Sequence, residues 1–130
     1  MPIIFDTSVA IAFRDSDPLI LAQANALVET AQLSVLTAIE LESGVAAALV
    51  DRAKRRAALD AMYDAMPVLP FGVDETAAYR AIVEQLGYSR RKLIDRMIAA
   101  QALVAGAVLA TLNPRDFQEI PGLRIEDWSR

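Results

Sequence analysis

Residues 93–113, LIDRMIAAQALVAGAVLATLN, decide how this chain is read. From Met97 to Leu112 the run is almost wholly apolar, but Gln101 and Gly106 interrupt it and it is already short for a membrane span. Two consecutive elements explain it better. A buried helix runs from about Lys92 to near Gly106, and a buried strand follows over Ala107–Thr111. A strand buried on both faces belongs in a parallel sheet covered by helices.

The same alternation extends outward. Ile3-Ile4-Phe5 reads as a strand, followed by a helix from about Ser8. Asp17-Pro18 supplies an N-cap and a first-turn proline for a second helix through about Thr30. Leu33–Leu36 is the next strand, and Thr37 caps the helix after it. Asp51 opens a separate helix that reaches Met66, and Val68-Leu69 is a short strand. A helix from Asp74 to Leu86 is closed by Gly87, and Leu123-Arg124-Ile125 adds a last edge strand. Strands alternating with helices make βαβ units, so the expectation is one α/β domain over residues 1–130 with a mainly parallel central sheet flanked by helices. In such sheets ligands sit beyond the carboxyl ends of the strands.

Composition narrows the chemistry. The 130 residues include no cysteine and no histidine. Disulfides, thiol nucleophiles, imidazole bases and His- or Cys-ligated metals are therefore excluded. A hydrolytic metal site must be built from oxygens, which favours Mg²⁺ or Mn²⁺ over zinc. The net charge of −4 argues against indiscriminate nucleic-acid binding. The basic residues nevertheless cluster. Arg52, Lys54, Arg55 and Arg56 read as solvated helix surface. Arg90, Arg91 and Lys92 lie close to Asp95 and read either as another solvated face or as a phosphate contact. Met1–Asp6 has no basic region and too short an apolar run for a signal peptide. A soluble, cytoplasmic protein is the expectation.

Carboxylates recur where strands end or helices open. Asp6 follows the first strand directly, where it can also cap the next helix. Glu40 stands three residues after Thr37, so a capping box accounts for it equally well. Asp95 is the hardest to explain locally: Ile98, Ala99 and Ala102 at i+3, i+4 and i+7 put it in line with an apolar stripe. A buried carboxylate needs a metal or a partner, and Arg96 or Arg91 could serve as an ion pair. Asn113 before Pro114 is a ready N-cap, and Asp116 could be an ordinary first-turn acid. Taken together, Asp6, Glu40, Asp95, Asn113 and Asp116 fall at one expected edge of the sheet. Two such charges 4 Å apart repel by about 4 kcal/mol at an effective dielectric of 20. A divalent cation relieves that repulsion and can activate water against a phosphodiester.

The ordered set of motifs resembles the PIN-domain family, and in particular VapC-type toxins. Asp6-Thr7-Ser8 is similar to the opening motif. Residues 37–44, TAIELESG, resemble the helix carrying the second acid. LIDRMIAAQAL, LATLNPRDF and the closing LRIEDW are similar to the later motifs. The resemblance covers nearly the whole chain. It implies a Mg²⁺- or Mn²⁺-dependent endoribonuclease, usually dimeric, restrained by a VapB-type antitoxin through which any DNA is contacted. It also implies Asp6, Glu40 and Asp95 as the principal acids, with Thr7 or Ser8 assisting. Many relatives carry an acid where this chain has Asn113, so Asp116 would take that place through water. Arg91 and Lys92 are the candidate phosphate contacts.

The residues leave two other readings open. Aspartyl-phosphate chemistry with Asp6 as nucleophile needs a second acid two residues on, where this chain has Ser8. A catalytically weak PIN fold kept as an interaction module is the non-enzymatic alternative. Surplus apolar residues, Leu19, Leu21, Leu27 and Val28 on one helix and Leu49 and Val50 ending another, suggest protein interfaces.

Overall fold

The apolar triplet Ile3–Phe5 forms β1 at the centre of a five-stranded sheet, in a computed structural model that describes residues 1–129. The sheet order is β3-β2-β1-β4-β5, with β2 at Gln32–Ser34, β3 at Val68–Leu69, β4 at Val108–Thr111 and β5 at Arg124–Asp127. Every neighbouring pair is parallel. Helices α1 (Thr7–Arg14) and α2 (Pro18–Asn25) connect β1 to β2, and α3 (Val35–Ala47) and α4 (Arg52–Ala65) connect β2 to β3. Helices α5 (Val73–Leu86) and α6 (Leu93–Ala105) lead to β4, and a 3-10 turn at Pro114–Asp116 precedes β5. This is the expected α/β architecture.

Side chains alternate across the sheet and fill a core on each face. Ile3 and Phe5 pack with Val9, Leu41, Leu59, Met62 and Trp128 on the side of α1 to α4. Ile4 and Leu109 pack with Ile82, Ile98, Ala99 and Phe117 on the side of α5 and α6. Burying side chains such as Phe5 and Leu109 stabilises by roughly 1.5–3 kcal/mol each. Ala99, Ala100 and Ala102 are fully buried, and their small size lets α6 lie close to the sheet. Trp128 meets Phe5 edge-on, with ring centroids 5.1 Å apart, and so covers the first core beyond β5.

Several boundaries depart from the sequence reading. Helix α2 ends at Asn25, not near Thr30. Leu27 donates to Ala24 O, an i→i−3 bond that tightens the last turn, and the chain then unwinds toward β2. Leu27 packs on the core while Val28 is fully exposed. Strand β2 stops at Ser34, and Ser34 rather than Thr37 caps α3, its hydroxyl accepting from Leu36 N at 3.0 Å. Thr37 is buried inside the helix. Gly106, at φ 61°, closes α6 in the left-handed conformation that glycine tolerates. Strand β5 continues two residues beyond Ile125 to Asp127.

Candidate active site

The strand order places the topological switch between β1 and β4, because the chain builds β2 and β3 on one side of β1 and β4 and β5 on the other. A crevice beyond the carboxyl ends of these two strands is where such a sheet binds its ligand. Asp6 stands there. Its N–H donates to Ala110 O at 3.0 Å, and its side chain is almost completely buried. One oxygen, Oδ1, accepts from Val9 N at 2.9 Å and Ser8 Oγ at 2.6 Å. The other, Oδ2, accepts from Thr111 Oγ1 at 2.6 Å. Asp6 therefore does cap α1, and the same carboxylate also ties β1 to β4. Burial pushes its carboxyl above the usual range, against the opposing effect of the Ser8, Thr111 and Val9 donors.

The two hydroxyls also fix the exit of β4. Ser8 Oγ accepts from Leu112 N at 3.1 Å, and Thr111 Oγ1 accepts from Asn113 N at 2.9 Å. Asn113 is exposed and opens the 3-10 turn without a side-chain cap bond, and Asp116 is exposed at the end of that turn.

Thr7 serves the second acid. Its hydroxyl donates to Glu40 Oε1 at 2.9 Å and lies 3.0 Å from Thr37 Oγ1. With the one Thr7 proton directed at Glu40, Thr37 is the donor to Thr7. Glu40 is exposed on the second turn of α3, and the local capping box is not formed because the helix starts earlier, at Val35.

Asp95 lies in the first turn of α6 and is half-buried. Burial, followed by the charges of Asp116, Asp6 and Glu40, pushes its carboxyl up to about 6, with Lys92 opposing. Neither arginine proposed as its ion-pair partner takes that role. Arg96 is buried and donates to Gly87 O at 2.7 Å and Glu119 Oε1 at 3.3 Å, and Arg91 is exposed. Among the described residues Asp95 thus has no ion-pair partner, while the charges of Asp116, Asp6 and Glu40 act on it. Among the described residues no three acidic side chains stand close enough together to hold a metal ion between them. The donors are nonetheless all oxygens, and the uncompensated charge on Asp95 suits a hard divalent cation that keeps part of its water shell.

The basic groups differ in what they touch. Arg52 donates to Ala46 O and Ala48 O at the end of α3. Arg56 bridges Glu42 and Asp60 at 2.6 and 2.7 Å, and Tyr63 joins Glu42 at 2.6 Å. This group fastens α3 to α4. In the second group Lys92 Nζ pairs with Glu119 at 2.8 Å, while Arg90 and Arg91 are exposed. The sequence reading missed Thr111, Thr37 and Glu119. The one available signal was a hydroxyl ending an otherwise apolar strand, Val108–Thr111.

Comparison with known proteins places the fold in a family. Residues 3–123 match the PIN domain family model. Ribonuclease VapC of Rickettsia bellii is 31% identical over 131 residues, covering 96% of this chain and 95% of that protein. Ribonuclease VapC1 of Rickettsia felis is 43% identical over 61 residues, a match spanning 45% of each chain. The crystal structure of DNA-bound VapBC from Salmonella typhimurium superposes with a TM-score of 0.85 at 28% identity, covering 98% of both chains. The family model over residues 3–123 and the near-full-length match to the Rickettsia bellii protein show it: the chain belongs to the PIN domain family, among its VapC members.

Proposed function

We propose that this chain is the endoribonuclease toxin of a VapBC-type toxin–antitoxin pair, hydrolysing RNA phosphodiesters with Mg²⁺, or Mn²⁺ in its place. The feature that supports the reading is a half-buried Asp95 without an ion-pair partner among the described residues, its carboxyl pushed up by burial and then by the charges of Asp116, Asp6 and Glu40. Asp6, Asp95 and Glu40 would hold the metal, and Asn113 and Asp116 would complete its surroundings. When bound, the ion supplies an activated water and stabilises charge on the phosphate.

The protein's own groups prepare that chemistry. Ser8 and Thr111 orient Asp6, and Thr7 orients Glu40. Arg91, exposed just before α6, would offer its guanidinium to a phosphate, and Lys92 would add charge while held by Glu119. The buried Asp6 carboxylate accepts three hydrogen bonds, which suits a fixed ligand better than a nucleophile. The proposed partners are RNA, a VapB-like antitoxin and a second copy of the chain. DNA is reached through the antitoxin, since the chain itself carries a net charge of −4. No helix among the described residues is long and apolar enough to cross a membrane, and we assign the activity to the cytoplasm, where RNA is found. The test is RNA cleavage with Mg²⁺ and with EDTA, comparing wild type with Asp95→Asn. Cleavage that survives both changes would overturn the proposal.

A further inference from the structure

The turn between β4 and β5 carries Asn113 and Asp116, but nothing in those two side chains explains how the turn keeps its place beside α6. Its apolar members set it coarsely: Phe117 and Ile120 are buried in the core against Ile98, Ala99 and Leu109. Between them Glu119 points outward and receives two cations from the start of α6. Lys92 Nζ lies 2.8 Å and Arg96 Nη2 3.3 Å from the same oxygen, Oε1. Lys92 and Arg96 are four residues apart and so share one face of the helix, and they flank Asp95 in sequence.

Arg96 makes this contact demanding. Its side chain is only 5% exposed, and among the described residues its Nε has no partner and Glu119 is its one carboxylate. A buried guanidinium with a single counter-charge holds that charge firmly, because the alternative is a desolvated cation left alone. Arg96 Nη1 also donates to Gly87 O at 2.7 Å, which brings the end of α5 into the same knot. Three segments at the carboxyl edge of the sheet are therefore fastened through one arginine and one glutamate.

We propose that Glu119 is a positioning residue for the metal site: its pairing with Lys92 and Arg96 locks the turn bearing Asn113 and Asp116 against the helix bearing Asp95, and so sets the spacing of the acids. This rests on the metal-dependent reading of the site given above. Glu119 touches neither substrate nor ion; it acts through Asp116 and Asn113.

The test measures Mn²⁺ binding to the full chain without RNA, by calorimetry, alongside RNA-cleavage kinetics at several Mg²⁺ concentrations. Glu119→Ala should weaken Mn²⁺ binding roughly tenfold, as loss of an outer support commonly does. It should lower kcat at limiting Mg²⁺ and regain rate as Mg²⁺ is raised. Glu119→Gln, which retains an acceptor for Lys92 and Arg96, should fall between alanine and wild type, and it carries the test if the alanine variant does not fold. Arg56→Ala, which breaks the remote pair with Glu42, should bind Mn²⁺ like wild type. Unchanged Mn²⁺ affinity in folded Glu119 variants, with wild type binding metal and cutting RNA, would overturn this inference alone. A wild-type chain that neither binds Mn²⁺ nor cuts RNA would overturn the functional reading beneath it.

Discussion

Thr111 Oγ1 donates to Asp6 Oδ2 at 2.6 Å, joining the ends of β4 and β1 through the carboxylate at the switch point of the sheet. Both residues are buried, so no water can replace the bond. Thr111→Val keeps the shape and removes the donor. It leaves Asp6 Oδ2 unpaired and takes the acceptor from Asn113 N. The expected loss of stability is roughly 1.5–3 kcal/mol, the range for a hydrogen bond to a charged group. It should come with a further rise in the Asp6 pKa and at least a tenfold fall in cleavage rate. Urea unfolding at pH 7 checks the first, and a variant as stable and active as wild type would show the bond to be incidental.

Asp95→Asn should abolish cleavage while keeping or raising the melting temperature, because it relieves repulsion at a site selected for function. Cleavage at wild-type rate would mean that the site is elsewhere.

The pH dependence follows from the same carboxylate. The Asp95 carboxyl titrates near 3.8 when unfolded and about 6 when folded, raised by burial first and then by Asp116, Asp6 and Glu40. Between those values the folded state holds a proton that the unfolded chain has lost, so stability falls as pH rises through this window. The raised Asp6 carboxyl acts in the same direction. Melting curves from pH 4 to 7 should therefore show wild type losing stability relative to Asp95→Asn, most steeply up to about pH 6. Added Mg²⁺ should recover the difference above pH 6, where it binds the ionised acids. Parallel profiles for the two proteins would remove repulsion from the argument.

The two basic groups should separate in kinetics. Arg91→Ala should raise KM for RNA and flatten its salt dependence, since one fewer cation meets phosphate. Arg55→Ala should change little, because its group serves the surface and the α3–α4 contact. Equal effects would place the RNA path elsewhere.

Much of this arrangement was legible in the sequence where apolar runs are short and firmly bounded. Prolines at 67 and 70 flank Val68–Leu69, and the strand lies where that punctuation puts it. Gly87 and Gly106 likewise mark the ends of α5 and α6. Where two residues offer the same local chemistry, the reading slipped. Ser34 and Thr37 are both good caps, and only the parallel pairing of Ser34 with Leu69 decides between them. Asp6, Glu40 and Asp95 could be proposed because each follows a strand or opens a helix. Thr111 and Glu119 could not. A threonine ending a strand is ordinary, and Glu119 lies 27 residues from Lys92 and 23 from Arg96, a separation that only the fold closes.

The last prediction concerns what covers the remaining apolar surface. Of the residues proposed as surplus, Leu27 packs on the core, whereas Leu19, Val28, Leu49 and Val50 are 45%, 102%, 97% and 68% exposed. Leu49 and Val50 sit together at the turn between α3 and α4, next to Arg52, which donates to Ala48 O at 3.0 Å. Exposed apolar patches commonly mark interfaces, so we expect a homodimer by light scattering and a shift toward monomer in Leu49→Asp. The acidic crevice calls for a different occupant. An arginine from an antitoxin tail pairs with carboxylates and keeps its charge at any working pH, so it would occupy the place of the cation among Asp6, Glu40 and Asp95. Mg²⁺ and the tail should then compete. Raising Mg²⁺ should weaken inhibition by an isolated tail peptide, and replacing the peptide's arginine with alanine should remove that dependence. A chain that scatters as a monomer and is inhibited equally at every Mg²⁺ concentration would overturn both expectations and leave the nuclease assignment standing.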